Sequence, residues 1–524
     1  MLGGLGDAST VPPEDRSAKD SSRHVRSTKA KSKKFKKVDE SKVDGFLDRA
    51  RQGIHCSFCG GVKCKHESWE AMKEKRADTA IEGLNSNWVG TDVIASQRPS
   101  TSLFLKYLLI QQFKEKQITG VFNLQEKGEH ASCGPDGVYT STGYSYNGEE
   151  DLMRHNISYY EFPWPDMTAP QQDIVLRSVQ VMDFHVKNSG KVLVHCHAGL
   201  GRTGLMIACY LVYSQHMPSA EVIRLVRQER PGAIQTSRQA QFIHDFERHL
   251  WRLTQAFRVE ISDAIIDVEL FLQRQRLVLH GEQADYYRFV PMVIHVILCR
   301  LINLTRENAS NAELALLSIA SSASPGEATL SACRVSINRR RFNVNAMTDV
   351  SILSFLVCDW FRSMSTPALS VEACNAIVEI KRKAPGERES LSDEISRIMS
   401  KSVRHTLGMV VSAFYVISLP VKSSVKSYAF RCLADSFTHA HNPVKLRHSP
   451  VERELIYEFF LEWGESIKDL YFNVNSVDKQ HSTIRKIATA SSAVLQETSH
   501  SDLGQRALTF YPADLVAEDG GATS

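Results

Sequence analysis

The stretch Lys191–Gly204, KVLVHCHAGLGRTG, limits what this chain can fold into more than any other. Val192–Val194 form an apolar run that predicts a buried strand, and Thr203–Tyr213 (TGLMIACYLVY) predicts a helix. Between Cys196 and Arg202 stand only His197, Ala198, Gly199, Leu200 and Gly201. A loop of that length, closing onto a helix N-terminus, wraps its backbone N–H groups around one tetrahedral anion. Cys196 then lies under the bowl, and the planar fork of Arg202 grips two oxygens of a phosphate. The same field of N–H groups, helix dipole and guanidinium favours the thiolate, the nucleophilic form of cysteine.

A buried cysteine beside an unrelated arginine is the simpler alternative, and Cys209 fits that description. Strand, His-Cys, five residues, Arg-Thr-Gly and helix together specify too many residue types for it. The pattern resembles the signature of the cysteine-based protein tyrosine phosphatases. That resemblance implies an α/β fold, a central and mostly parallel sheet flanked by helices, and hydrolysis through a phosphocysteine with no cofactor. It also implies that His195 holds the loop and lowers the thiol pKa, and that the Thr203 hydroxyl donates to the departing thiolate.

Phosphate-ester hydrolysis by a cysteine further needs a general acid and a group that places water. Asp166, in the segment EFPWPDMTAP, follows one predicted strand and precedes a predicted helix. Its flanking prolines and Trp164 suit a hinged loop that closes over the phosphate, although an aspartate there also serves as a helix cap. Resemblance to the family's Trp-Pro-Asp loop makes Asp166 the acid and then the base. Gln235-Thr236-Ser237-Arg238-Gln239 resembles the family's glutamine motif, with Gln235 placing water and Gln239 second to it; a plain helix cap is the alternative.

Substrate class is less tightly marked. The loop residues His197–Gly201 contain no lysine, whereas phosphoinositide phosphatases of this family generally carry lysines there; His197 alone keeps a lipid substrate open. The short domain resembles the dual-specificity branch and its mitotic-exit type, implying phosphotyrosine, phosphoserine or phosphothreonine in a phosphoprotein substrate. The resemblance extends through Ala95–Thr101, Asn123–Gly134, Arg230–Thr236 and Phe271–Ile294, and implies a link to cilia and centrosomes. Glu129, His130 and Cys133 fall at the cleft rim or on a polar surface loop, with Cys133 a conceivable redox partner of Cys196. A phosphoprotein-binding scaffold without turnover is the rival from another class.

Composition bounds the rest. A net charge of +4 on 524 residues points away from a general nucleic-acid binder, and eleven scattered cysteines suit a reducing compartment. No apolar run is long enough to predict a membrane span, so the expectation is a cytoplasmic protein, with the nucleus and the cilium as alternatives. The chain divides into a basic, disordered segment over 1–50, a Cys/His-rich lead-in over 51–85, the phosphatase domain over 86–255, a helical region over 256–475 and a polar tail over 476–524. In the lead-in, Cys56, Cys59, Cys64 and His66 are spaced as zinc ligands often are, a cysteine-rich packing segment being the alternative. The helical region carries no metal or nucleotide motif, which leaves docking of a protein partner, or packing on the phosphatase, as its expected role.

Overall fold

The computed structural model describes residues 61–472, apart from 68, 70–77, 135, 140, 260–265, 321–324, 384–389 and 441–447. Cys56, Cys59, the basic segment over 1–50 and the tail over 476–524 lie outside the described residues.

The strands β1 (Ser86–Val89), β2 (Val93–Ser96), β3 (Ile118–Asn123), β4 (Ser158–Glu161) and β5 (Lys191–His195) form one sheet in the order β1-β2-β5-β3-β4. β1 and β2 pair antiparallel; every other pairing is parallel. The sheet is therefore mixed but mostly parallel, with β5 at its centre. A central strand is covered on both faces, which explains why Val192, Leu193 and Val194 are all apolar and wholly buried.

Sequence pattern predicts an edge strand over Trp88–Ile94, a short helix over Asp78–Trp88 and an amphipathic helix over Ser100–Lys116, and the structure corrects all three. Trp88–Ile94 is not one edge strand: Gly90, at a φ of 68°, turns the chain back on itself and makes a hairpin. The stretch Asp78–Trp88, expected to be a helix, is turn and then β1. Ser100–Lys116 is two helices, α1 (Thr101–Lys106) and α2 (Leu109–Glu115), broken where Leu108 takes a φ of 50°. The apolar spacing persists across such a break, so periodicity alone does not register it.

Helices α3 (Gln172–Lys187), α4 (Gly201–Ser214), α5 (Ser219–Glu229) and α6 (Ser237–Thr254) complete the α/β half. Nearly all of α4 is buried, because it runs from the Cys196 loop through the middle of the apolar core beneath the sheet. The capping box of Thr236 and Gln239 starts α6.

After α6 the chain is helical: α7 (Val268–Val278), α8 (Gly281–Tyr286), α9 (Met292–Glu307), α10 (Ala309–Leu317), α11 (Glu327–Asn338), α12 (Val350–Arg362), α13 (Val371–Arg382), α14 (Leu391–Ile398), α15 (Lys401–Ser418), α16 (Ser423–Thr438) and α17 (Pro450–Tyr471). Their inward faces make a second core around Trp360, Phe361, Phe414 and Phe430. This bundle packs against α3, α4 and α6 of the α/β half. The Tyr213 hydroxyl donates to the Val278 carbonyl at 2.7 Å, His280 Nε2 lies 2.7 Å from Asp183, and Arg341 pairs with Glu247 at 2.6 Å.

Candidate active site

The Cys196 loop leaves the C-terminal end of β5, where parallel α/β sheets place their ligands. Its carbonyls are turned outward and held. The Arg98 N–H donates to the His197 carbonyl at 3.0 Å, while Arg230 donates from Nε to the Gly199 carbonyl at 3.0 Å and from Nη2 to the Ala198 carbonyl at 3.1 Å. Arg230 is itself wholly buried, gripped by the side-chain oxygens of Asn85 and Asn87 at 2.8 Å each. With the carbonyls facing out, the N–H groups of 197–202 donate to no acceptor among the described residues. They form a cradle over the buried Cys196 thiol. Gly199 is required here: its φ is 69°, and a Cβ would come within 2.1 Å of the Ser96 carbonyl oxygen.

Arg202 is wholly buried at the start of α4. Both of its terminal nitrogens bind the Glu129 carboxylate, and Nη1 also donates to the carbonyls of Leu124 and Trp164 at 3.2 and 3.1 Å. Its Nε has no hydrogen-bond partner, although Asp166 Oδ1 stands 3.1 Å away as an ion-pair partner. Thr203 Oγ1 is likewise buried without a hydrogen-bond partner.

His195 serves the loop from below. Its Nδ1 lies 3.3 Å from the Cys196 carbonyl, which only accepts, so the ring proton sits on Nδ1. Nε2 is then the acceptor for the Tyr146 hydroxyl at 2.7 Å. Burial pushes the His195 pKa down to about 3, so the ring is neutral.

Asp166 sits on the loop after β4, with Trp164 buried beside it and the Trp164 carbonyl tied to Arg202. Burial pushes the Asp166 carboxyl up, but His130, the Arg202 charge and the Met167 N–H outweigh it and hold the group well below the usual carboxylate range. In this resting arrangement Asp166 is ionised. On the opposite wall, Gln239 Oε1 accepts the N–H groups of Gln235 and Thr236 at 2.9 and 3.3 Å. Gln239 Nε2 is buried without a partner, and the side chains of Gln235 and Gln239 both close on Gly201.

The geometry thus brings together Cys196, Arg202, Asp166, Thr203, Gln235 and Gln239. His197 differs from expectation: only its N–H faces the cradle. Its ring turns away to Glu67 Oε1 at 2.6 Å and Cys64 Sγ at 3.6 Å, and stacks on His130 at 3.7 Å between ring centroids. Beside that ring, Cys64, Cys133 and His197 place their donor atoms within 4.8 Å of one another, all buried. His66, grouped with Cys64 on spacing, is outside that set; its ring centroid is 6.1 Å from that of His197.

Four contributors were not assigned by sequence reasoning. Glu129 clamps Arg202 instead of lining a rim, Arg230 anchors the loop, Tyr146 donates to the His195 ring, and Arg98 ties Glu67 to the 129–133 turn. Arg98, Glu129 and Arg230 stand in the segments that carry the family resemblance, which marks them without giving these roles; Tyr146 stands in none of them.

Residues 106–249 match the model of the dual specificity phosphatase catalytic domain. That stretch is a dual-specificity phosphatase-like domain. Over 268 residues, 51% of its length, the chain is 38% identical to a protein tyrosine phosphatase domain-containing protein 1 of Danio rerio, and that match spans 37% of the fish protein. Dual specificity protein phosphatase CDC14A of Homo sapiens is 29% identical over 151 residues, 29% of this chain and 22% of the human protein. The matches with this chain thus span well under half the length of these relatives. Among solved structures, Tk-PTP in its active form matches 31% of this chain and 96% of its own, at 24% identity and a TM-score of 0.25. The phosphatase domain lies wholly in the α/β half. Among the described residues no helix is long and apolar enough to cross a membrane.

Proposed function

We propose that this domain is a protein phosphatase acting on phosphotyrosine, and on phosphoserine or phosphothreonine, through a phosphocysteine on Cys196. The observation that carries the reading is the buried Arg202, whose Nε makes no hydrogen bond and has only the Asp166 charge beside it, facing a cradle of unpartnered N–H groups above a buried thiol. Buried donors without partners are costly unless a ligand supplies them, and a phosphate dianion supplies all of them at once.

In the first step the Cys196 thiolate attacks phosphorus, the P–O bond breaks, and the leaving oxygen takes a proton from Asp166. Asp166 must therefore become protonated before attack. The incoming dianion does this: it takes over Arg202 Nε and places negative charge beside the carboxylate, which raises its pKa. In the second step water, placed by Gln235 and Gln239, attacks phosphorus and gives its proton to Asp166. The P–S bond breaks and the thiolate leaves toward the Thr203 hydroxyl.

A protein substrate fits better than a phosphoinositide. The loop offers no lysine for a second phosphate, and the His197 ring is turned to Glu67 and Cys64 instead of the cleft. A phosphate-capturing scaffold is the second reading, favoured by the ionised resting state of Asp166. Hydrolysis of an aryl phosphate and of a phosphopeptide panel, in the wild type, Cys196→Ser and Asp166→Ala, separates the two. Turnover abolished in the first variant and cut by roughly 10²–10⁴ in the second supports the enzyme. A folded, reduced wild type that binds phosphopeptide without releasing phosphate supports the scaffold. We assign the bundle a docking role toward a protein partner, and the cilium or centrosome as cellular site by resemblance; imaging of the full chain beside a chain ending at residue 255 tests both.

A further inference from the structure

We infer that Cys64, Cys133 and His197 form a zinc site that clamps the 61–67 segment onto the back of the phosphate loop. The inference is independent of catalysis, since it rests on three side chains that face away from the cradle.

The three come from distant parts of the chain and converge in a buried place. Cys64 is 1% exposed, Cys133 0% and His197 4%. Cys64 Sγ stands 3.6 Å from His197 Nε2, and all three donor atoms lie within 4.8 Å of one another. On a tetrahedral zinc, with Zn–S near 2.3 Å and Zn–N near 2.05 Å, a sulfur and a nitrogen stand about 3.6 Å apart. The cysteine–histidine separation therefore needs little adjustment. The backbone supports the same convergence: the Gly61 carbonyl accepts the N–H groups of both Cys64, at 2.9 Å, and Gly134, at 3.1 Å. This ties the turn carrying Cys64 to the one carrying Cys133.

The donor set and its charges suit zinc. Two thiolates and one imidazole are borderline-soft ligands, and two thiolates neutralise the divalent ion. On binding, zinc takes the lone pair of His197 Nε2, and any proton on that nitrogen or on the thiols is released to solvent. Glu67, which now faces Nε2, keeps a buried cationic partner in Arg98, whose Nε lies 3.0 Å away. Arg98 also donates to the carbonyls of Glu129, His130 and Cys133. Arg98 thereby holds in place the turn that carries Cys133. Because His197 directly follows Cys196, the metal would fix one end of the phosphate loop while Arg230 fixes its middle. It is a structural ion, with no part in the chemical steps.

The test uses the full chain purified under thiol reductant without chelator. Zinc content by elemental mass spectrometry is expected at about one per chain, falling at least tenfold in Cys133→Ser and in His197→Asn, and unchanged in Cys333→Ser. Where a variant does not fold, cobalt(II) added to demetallated wild type provides the second readout. Visible bands of a tetrahedral thiolate site are expected, and they disappear on adding zinc. Folded wild type with less than a tenth of an equivalent of zinc and no cobalt bands overturns the inference. So does metal that survives both variants but is lost in Cys56→Ser/Cys59→Ser, or a Cys64–Cys133 disulfide in the purified chain by mass.

Discussion

The two halves of the molecule bury different things. In the α/β half, three arginines are at most 1% exposed: Arg98, Arg202 and Arg230. In the helical bundle the large wholly buried side chains are aromatic, Trp360, Phe361, Phe414 and Phe430 among them. Taking a guanidinium out of water costs several kcal/mol, and its hydrogen bonds only repay that when the geometry is good. A half that buries three has spent stability on positioning. The bundle gains its stability from apolar burial at about 25 cal/mol per Å² and, among the described residues, buries no arginine, only single charges such as Asp359 and Glu394. The difference teaches where chemistry resides, and it predicts that mutations in the two halves fail in different ways.

The sharpest test is Arg202→Lys, which keeps the charge but removes the fork and the Glu129 clamp. Phosphatase turnover should fall by roughly 10³ or more while the fold persists; activity within tenfold of wild type would break the assignment of Arg202. In the bundle, Trp360→Ala should lower unfolding stability by about 3–5 kcal/mol and leave kcat/KM unchanged in the folded fraction. Denaturant unfolding beside steady-state kinetics checks it, and a parallel loss of kcat/KM would show that the halves are coupled.

Smaller effects refine the contrast. Thr203→Ala should slow the second step more than the first, so that rapid quenching after aryl phosphate traps phosphocysteine as an initial burst. Tyr146→Phe removes the donor to His195 Nε2 and should cost about 1–3 kcal/mol of stability, read by thermal unfolding. The least effect is expected where the halves meet. Burial raises the Asp183 carboxyl, but His280 and Lys187 outweigh it, so its folded pKa lies below the ordinary 3.8. Its contribution is complete above 3.8 and is lost as pH falls through the depressed folded value. Asp183→Asn should therefore be less stable than wild type near neutrality, and the gap should close in acid. A gap that widens with acidification would reverse the sign of this contact.

Much of the site was legible in the chain before any tertiary structure. Lys191–Gly204 encodes strand, cradle and helix within one contiguous segment. Its backbone is set by neighbouring residues, and Gly199 has the freedom that its φ of 69° demands. The strand residues of β5 and the helices α5 and α6 could be read from apolar spacing and caps for the same reason. Breaks inside a continuing pattern were not legible: the hairpin at Gly90 and the kink at Leu108 leave the alternation of apolar residues intact. The zinc-like spacing near Cys64 was visible, but not the partners it meets.

What only the tertiary structure decided is which distant groups close around the loop. The order β1-β2-β5-β3-β4 brings Asn85, Glu129, Tyr146, Asp166 and Arg230 to the rim of one strand. It also directs the His197 ring to Cys64 and Cys133 and away from the cleft. A short segment determines its own dihedral angles, so the cradle of N–H groups over Cys196 is written locally. The satisfaction of a buried charge depends on what the fold places within about 3 Å of it, and no spacing along the chain records that distance.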